Sequence, residues 1–207
     1  MTLVRPLVSP ADPAISVFIN CPFDQEYRPI MDAIVFATVC CGFLPRSALE
    51  TGNVAAPRME RIARCVLSSR YSIHDLSRCK GEGDQNLARF NMPLELGIAI
   101  GRSLGATNAQ HSHDWLLLVP RDHPYYQFAS DLAGYDAKWH DNSPESAIPA
   151  VMSWLMTRPN ATVGLTPKRV LEQLPRFANA RQQLESEWAS ETPWSEVVLA
   201  ARAVVPI

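Results

Sequence analysis
Apolar and polar residues follow two different periods along the chain. Ile15-Ser16-Val17-Phe18-Ile19-Asn20 is a short apolar run of strand length, closed by the turn residues Asn20-Cys21-Pro22-Phe23-Asp24. From Glu26 to Cys41 the period becomes helical. Ile30, Ile34, Ala37 and Cys41 share one face, and Gly42 stands where a helix stops. Phe43 to Leu49 predicts a second strand, weakened by Pro45. Pro57 to Ser69 predicts a second helix. Met59, Ile62, Ala63 and Val66 face inward there, with Arg58, Glu60, Arg61 and Arg64 outward. Arg70 to Leu76 reads as a third strand ending in His74-Asp75, followed by a polar loop from Ser77 to Asn86.

Further along, Asp114 to Val119 is the clearest buried strand. Tyr125 to Leu132 predicts a short helix, Tyr135 to His140 a fifth strand, and Pro144 to Met156 an amphipathic helix with Ile148, Val151, Met152 and Leu155 inward. The pattern divides the chain into an extended lead-in (1–14), an α/β domain (15–157) and a helical tail (165–207). Strands alternating with helices predict a parallel sheet covered on both faces. Trp188 and Trp194 are large apolar groups in a polar tail. They read equally as packing on the body or as a subunit or partner interface.

The stretch Arg89-Phe90-Asn91-Met92-Pro93-Leu94-Glu95-Leu96-Gly97-Ile98-Ala99-Ile100-Gly101 reads as a loop entering a helix buried on most sides. Asn91 suits the N-cap and Pro93 the first turn. From Leu94 to Ile100 every residue but Glu95 is apolar or glycine. A carboxylate in such a helix is costly unless it has partners or a task. Gly97 and Gly101, one turn apart, leave room for a backbone or a ligand to come close. In a parallel sheet, ligands bind at the carboxyl ends of strands. That rule brings Asn20–Asp24, His74–Ser77 and the start of the Glu95 helix to one rim.

Composition narrows the classes. The 207 residues are 47% hydrophobic with a net charge of -2, which argues against binding nucleic acid by bulk charge. No apolar run approaches the roughly 20 residues of a membrane span. The start lacks a signal-peptide pattern, so a cytoplasmic protein is expected. Five cysteines without C-x-x-C spacing (Cys21, Cys40, Cys41, Cys65 and Cys79) read as small core residues of a reducing compartment. His111 and His113 lack a supporting ligand pattern, so no metal site is expected. Asp24 reads first as a helix cap and second as a ribose contact. Arg46, Arg70 and Arg78 are either rim charge or solvated. His74 and Asp75, adjacent on a strand, face opposite ways.

Phe18-Ile19-Asn20-Cys21-Pro22-Phe23, Ile73-His74-Asp75-Leu76-Ser77 and Asn91-Met92-Pro93-Leu94-Glu95-Leu96-Gly97-Ile98-Ala99 together resemble the nucleoside 2-deoxyribosyltransferase superfamily. The layout is also similar to TIR domains that hydrolyse NAD. More closely, the run from about Val17 to Gly134 resembles a bacterial family of mostly uncharacterised proteins. The resemblance implies a flavodoxin-like fold and N-glycosidic chemistry. Glu95 matches the glutamate that attacks the anomeric carbon, and Asp75 matches the aspartate that assists the base. Asn20, Cys21, Pro22, Phe23 and Asp24 match the loop that shapes the sugar and base pocket. The family often carries a second aspartate just before the glutamate helix. Here that loop reads Leu87-Ala88-Arg89-Phe90, and an arginine suits a phosphate-bearing substrate such as a nucleotide or NAD. Asn91, one turn before Glu95, is either a cap or a ligand contact.

The expected function is therefore an N-glycosidase, hydrolase or transferase, acting through Glu95 on NAD or a related nucleotide or nucleoside. NAD is then a substrate, and no cofactor is required. The resemblance suggests an effector of anti-phage defence. A non-catalytic nucleotide-binding sensor that signals through the tail is the alternative. A metal-dependent phosphoesterase using Asp75 and His74 is a third, weaker one. The resemblance also implies a homo-oligomer whose neighbouring subunit completes the pocket.

Overall fold
The computed structural model describes residues 12–50, 55–79, 90–106, 112–162, 164–189 and 192–205. Five strands form one parallel sheet: β1 (Ser16–Asn20), β2 (Leu44–Ser47), β3 (Tyr71–Asp75), β4 (Asp114–Pro120) and β5 (Lys138–His140). Their order is β2-β1-β3-β4-β5, the flavodoxin-like arrangement, with the direction of winding reversing between β1 and β3. In register, Asn20 lies beside His74, and Asp75 beside Leu118. The last residues of the three central strands thus reach one rim.

The helices are α1 (Arg28–Cys40), α2 (Arg58–Leu67), α3 (Asn91–Leu104), α4 (Tyr125–Phe128), α5 (Pro144–Leu155), α6 (Pro167–Trp188) and α7 (Trp194–Val204). β1 and β3 are buried on both faces; β1 reads accordingly as an apolar run, whereas β3 alternates Tyr71 and Ile73 with the buried polar residues Ser72 and His74. On one face Val17, Ile19, Tyr71 and Ile73 pack under α1 and α5. On the other, Phe18 joins Ile62, Val66 and Ala99 of α2 and α3. The predicted elements are present, mostly one to three residues shorter, with β4 one residue longer. The expected Tyr125–Leu132 helix is a single α-turn followed by a 3-10 turn at Ser130–Leu132.

The C-terminal helices join the main core rather than trailing from it. Val170, Leu174, Phe177, Trp194, Val197, Val198 and Ala201 are buried with α1 residues in one apolar cluster. Thr166 caps α6 by accepting from Arg169 N, and Pro167 fills its first position. The indole N–H of Trp194 donates to Pro45 O at 3.0 Å, covering the outer strand β2. Trp194 is thus spent on the body of the domain, while Trp188 is half exposed. No helix among the described residues is long and apolar enough to cross a membrane.

Candidate functional site
The rim gathers the ends of β1 and β3 and the start of α3, and the strand pleat splits it into two halves. On the α1 side stands Asp75, fully buried. Its Oδ1 accepts from Ser77 N at 2.8 Å and its Oδ2 from His140 Nε2 at 2.9 Å. His140 Nδ1 accepts from Asn142 N at 3.1 Å, which leaves the ring proton on Nε2, directed at Asp75. Tyr27 lies beside this pair, and burial, then the Asp75 charge, push its phenol well above the usual range. A cleft of about 650 Å3 opens over this half, with Tyr27, Ser77, Arg78, His123 and Asn142 in its wall. Cys21 faces the same side. Burial, then Asp75, raise its thiol well above the ordinary value, and more weakly so does Glu95. It is not poised as a thiolate nucleophile.

The α3 side holds His74, as the alternation of β3 requires. A directed chain of hydrogen bonds runs through it. His113 Nδ1 lies 2.9 Å from Ser69 O, so the ring donates there and its Nε2 accepts from Ser72 Oγ at 2.7 Å. Ser72 Oγ in turn accepts from His74 Nε2 at 2.8 Å, and His74 Nδ1 accepts from Asn20 Nδ2 at 3.0 Å. The second amide proton of Asn20 goes to Met92 O at 2.9 Å, in the first turn of α3. Once one end is fixed, every proton in the chain points the same way. Asn20 thus ties the end of β1 to the helix of Glu95, and its amide nitrogen is spent within the protein.

Burial holds both rings neutral: His74 is pushed down to about 3, and His113 to about 4. Both take up protons in the unfolded chain below about 6.5 and stay neutral in the fold until those lower values. Their contribution to stability is therefore present above about pH 6.5 and lost as pH falls. Ser72→Ala removes the middle link and strands a donor on His74 and an acceptor on His113. It is expected to cost about 1–3 kcal/mol in urea unfolding at pH 7. A cost below about 0.5 kcal/mol, the range of neutral surface changes, would show that the chain is not stabilising.

Glu95 sits one turn into α3, buried at 4% exposure. Among the described residues no hydrogen bond or ion pair reaches its carboxylate. Burial pushes it up to about 7, opposed only by the charge of Arg58 on α2. The other buried acids are provided for: Asp75 by Ser77 and His140, and Asp32 by Arg181 of α6. A buried carboxylate without a partner at a strand-end rim is the arrangement expected of a working group rather than a structural one.

Compared with protein-family models, curated proteins and solved structures, the chain gives no match. Weight therefore falls on the geometry. Asn91 is exposed and makes no capping bond; the N-cap of α3 is Phe90. Pro22 is buried, and Phe23 packs partly against the main core. Asp24 Oδ1 accepts from Tyr27 N at 3.0 Å and from Arg78 Nη2 at 3.0 Å, so it anchors the turn into α1. Arg46 is forked onto Glu50 in a two-bond ion pair. Arg70 lies before β3, at the opposite rim, and donates to Ser112 O. Arg89 and His111 lie outside the described residues, and no metal-ligand cluster occurs among those described. His140, Tyr27, Ser72 and Arg58 are the participants that sequence reasoning missed.

Proposed function
We propose that the chain is an N-glycosidase acting on a nucleotide or nucleoside, NAD included, with Glu95 as the carboxylate at the anomeric carbon. The observation that carries this reading is the buried Glu95, without a partner among the described residues, near the start of α3 at the carboxyl rim. N-glycosidic cleavage passes through an oxocarbenium-like state, which a carboxylate stabilises or captures covalently. Nicotinamide leaves as a neutral base from an already cationic nucleotide, so NAD needs no acid to protonate it. Asp75, with both oxygens engaged, then orients the rim and the loop at Ser77 instead of delivering a proton. A role in anti-phage defence rests on the family resemblance alone.

The engagement of Asp75 also favours the second reading, a nucleotide-binding sensor without turnover. Purified protein incubated with NAD, nucleoside monophosphates and deoxynucleosides separates the two. Chromatographic release of nicotinamide or free base by wild type, and not by Glu95→Gln, supports the enzyme and names its substrate class. Ligand retained unchanged by both proteins supports the sensor.

A further inference from the structure
We infer that the site selects its ligand by the 2′-hydroxyl of the sugar, taking ribosyl over 2′-deoxyribosyl groups, and that Asn20 is the residue that decides. The inference rests on the reading that sets the anomeric carbon at Glu95. The sugar so selected is the opposite of the one that the deoxyribosyltransferase resemblance implies.

Asn20 closes β1 and is 3% exposed. Its amide can sit only one way round. Met92 O is a backbone carbonyl and accepts only, so the atom 2.9 Å from it is the amide nitrogen. The same nitrogen donates at 3.0 Å to His74 Nδ1, which accepts because the ring proton of His74 is on Nε2, directed at Ser72 Oγ. Turning the amide over would break both bonds and set oxygen against oxygen. With both N–H groups used, Asn20 has Oδ1 left. That oxygen accepts no hydrogen bond among the described residues, and it is not one of the partnerless polar atoms sealed from solvent. It is an acceptor of fixed direction, open at the end of β1.

Glu95 supplies a second acceptor. It lies three residues after Met92 on the same side of α3, and a helical side chain leans back over the preceding turn. Its carboxylate therefore leans toward the turn that Asn20 holds, and its charge is felt at Cys21, the residue after Asn20. Neither carboxylate oxygen has a partner among the described residues, and neither is sealed from solvent.

Two buried acceptors without donors of their own are complementary to a ligand that brings O–H groups. Beside the anomeric carbon of a ribosyl group the nearest O–H is the 2′-hydroxyl, the group by which proteins tell ribose from deoxyribose. A hydrogen bond to it also strengthens as the oxocarbenium-like state forms. A 2′-deoxy sugar would leave the acceptors unpaired, which is how a polar site rejects an analogue that lacks one hydroxyl. Ser72 and His113 touch no ligand here. They are positioning residues that keep His74 in the tautomer that holds Asn20.

Calorimetric titration of Glu95→Gln, which keeps an acceptor oxygen, tests this. The ligands are NAD and the common ribonucleoside 5′-monophosphates, each beside its 2′-deoxy and 2′-fluoro-2′-deoxy counterparts (for NAD, at the nicotinamide ribose). Fluorine fills the place of the hydroxyl and donates nothing. At least one ribosyl ligand should bind about tenfold or more tightly than its deoxy form, and the fluoro form no better than the deoxy form. Asn20→Ala added to Glu95→Gln should weaken the ribosyl ligand alone and bring the pair within about twofold. A variant that only displaced α3 would weaken both alike. Equal binding of ribosyl and deoxy forms, a fluoro form as tight as the hydroxyl, a preference that survives Asn20→Ala, or no binding of any ligand would each overturn the inference. The fluoro comparison decides even where Asn20→Ala does not fold. Failure of the glycosidase reading looks different: ribose-selective binding with no base released by wild type keeps the selectivity and assigns it to a sensor.

Discussion

Glu95→Gln is expected to abolish base release and, at the same time, to make the protein more stable above neutral pH. In the proposed reaction the carboxylate meets the developing positive charge at the anomeric carbon. Its amide keeps the shape and loses the charge. Removing one such group costs on the order of 10^3-fold in turnover. The stability effect follows from the same burial. Glu95 ionises at about 7 in the fold, against 4.5 in the unfolded chain. Between those values the native state holds the extra proton, so stability falls as pH rises through the window. By pH 8 the folded protein carries a destabilisation of about 3 kcal/mol that glutamine does not share. Urea unfolding of the two proteins at pH 5 and pH 8 should show a gap that opens with pH. Turnover of the wild type should rise through pH 7 as the nucleophile ionises. A gap that does not change with pH would mean that Glu95 is solvated or paired. Retained turnover in Glu95→Gln would remove it from the chemistry.

The histidines act opposite to Glu95, so these three groups together are expected to favour a stability maximum on the acid side of neutrality. His74 and His113 lose their contribution as pH falls below about 6.5, while Glu95 lowers stability as pH rises toward 7. Both effects come from setting ionisable groups inside the layer between β1, β3 and α3. The histidines have neutral partners there, and Glu95 has none among the described residues.

What could be read in the sequence follows from what is local. β1 and β4 hold apolar runs bounded by turn residues, and their burial matches that pattern, while β3 is buried although Ser72, His74 and Asp75 interrupt it. Glu95 stood out because one carboxylate in an apolar helix violates a local rule, and such violations collect at functional sites. The opposed directions of His74 and Asp75 follow from strand geometry alone. The partners that decide what those groups do are not local. His140 meets Asp75 across 65 positions, and Asn20 meets Met92 across 72. No periodicity signals such a pairing. The expectation that α3 is buried on most sides is corrected: Leu94, Gly97, Gly101 and Leu104 are exposed on one side, and an apolar stripe has the same spelling whether it enters a core or faces outward. The side chain of Asn91 suits a cap, but the N-cap is Phe90 and Asn91 follows as the first residue of the helix.

The contact of α6 with α1 is where the largest loss of stability is expected. Arg181 of α6, 4% exposed, donates to Asp32 of α1, 5% exposed. Glu185 lies 3.4 Å from Arg181 Nε and also pairs with Arg28, so four alternating charges link the two helices. Burial raises the Asp32 carboxyl even against the pull of Arg181, which shows how poorly water reaches it. Arg181→Ala leaves that carboxylate buried without its hydrogen-bonded counter-charge, with only the weaker pull of Arg28. A cost of about 3–5 kcal/mol is expected, a large part of the whole stability of a domain. In a chain of this size it should lower the melting temperature by roughly 10 °C. The pair itself need not be strongly stabilising, because desolvation offsets most of its attraction. Arg181→Met combined with Asp32→Leu should therefore recover most of the loss, within about 1–2 kcal/mol of wild type. The charges of Arg181 and Asp32 are both felt at the Cys21 thiol, just after the end of β1. If the double variant restores stability and leaves base release intact, the ion pair is a clasp for α6. If stability returns and turnover does not, the clasp also sets the rim, and the C-terminal helices are mechanically part of the site.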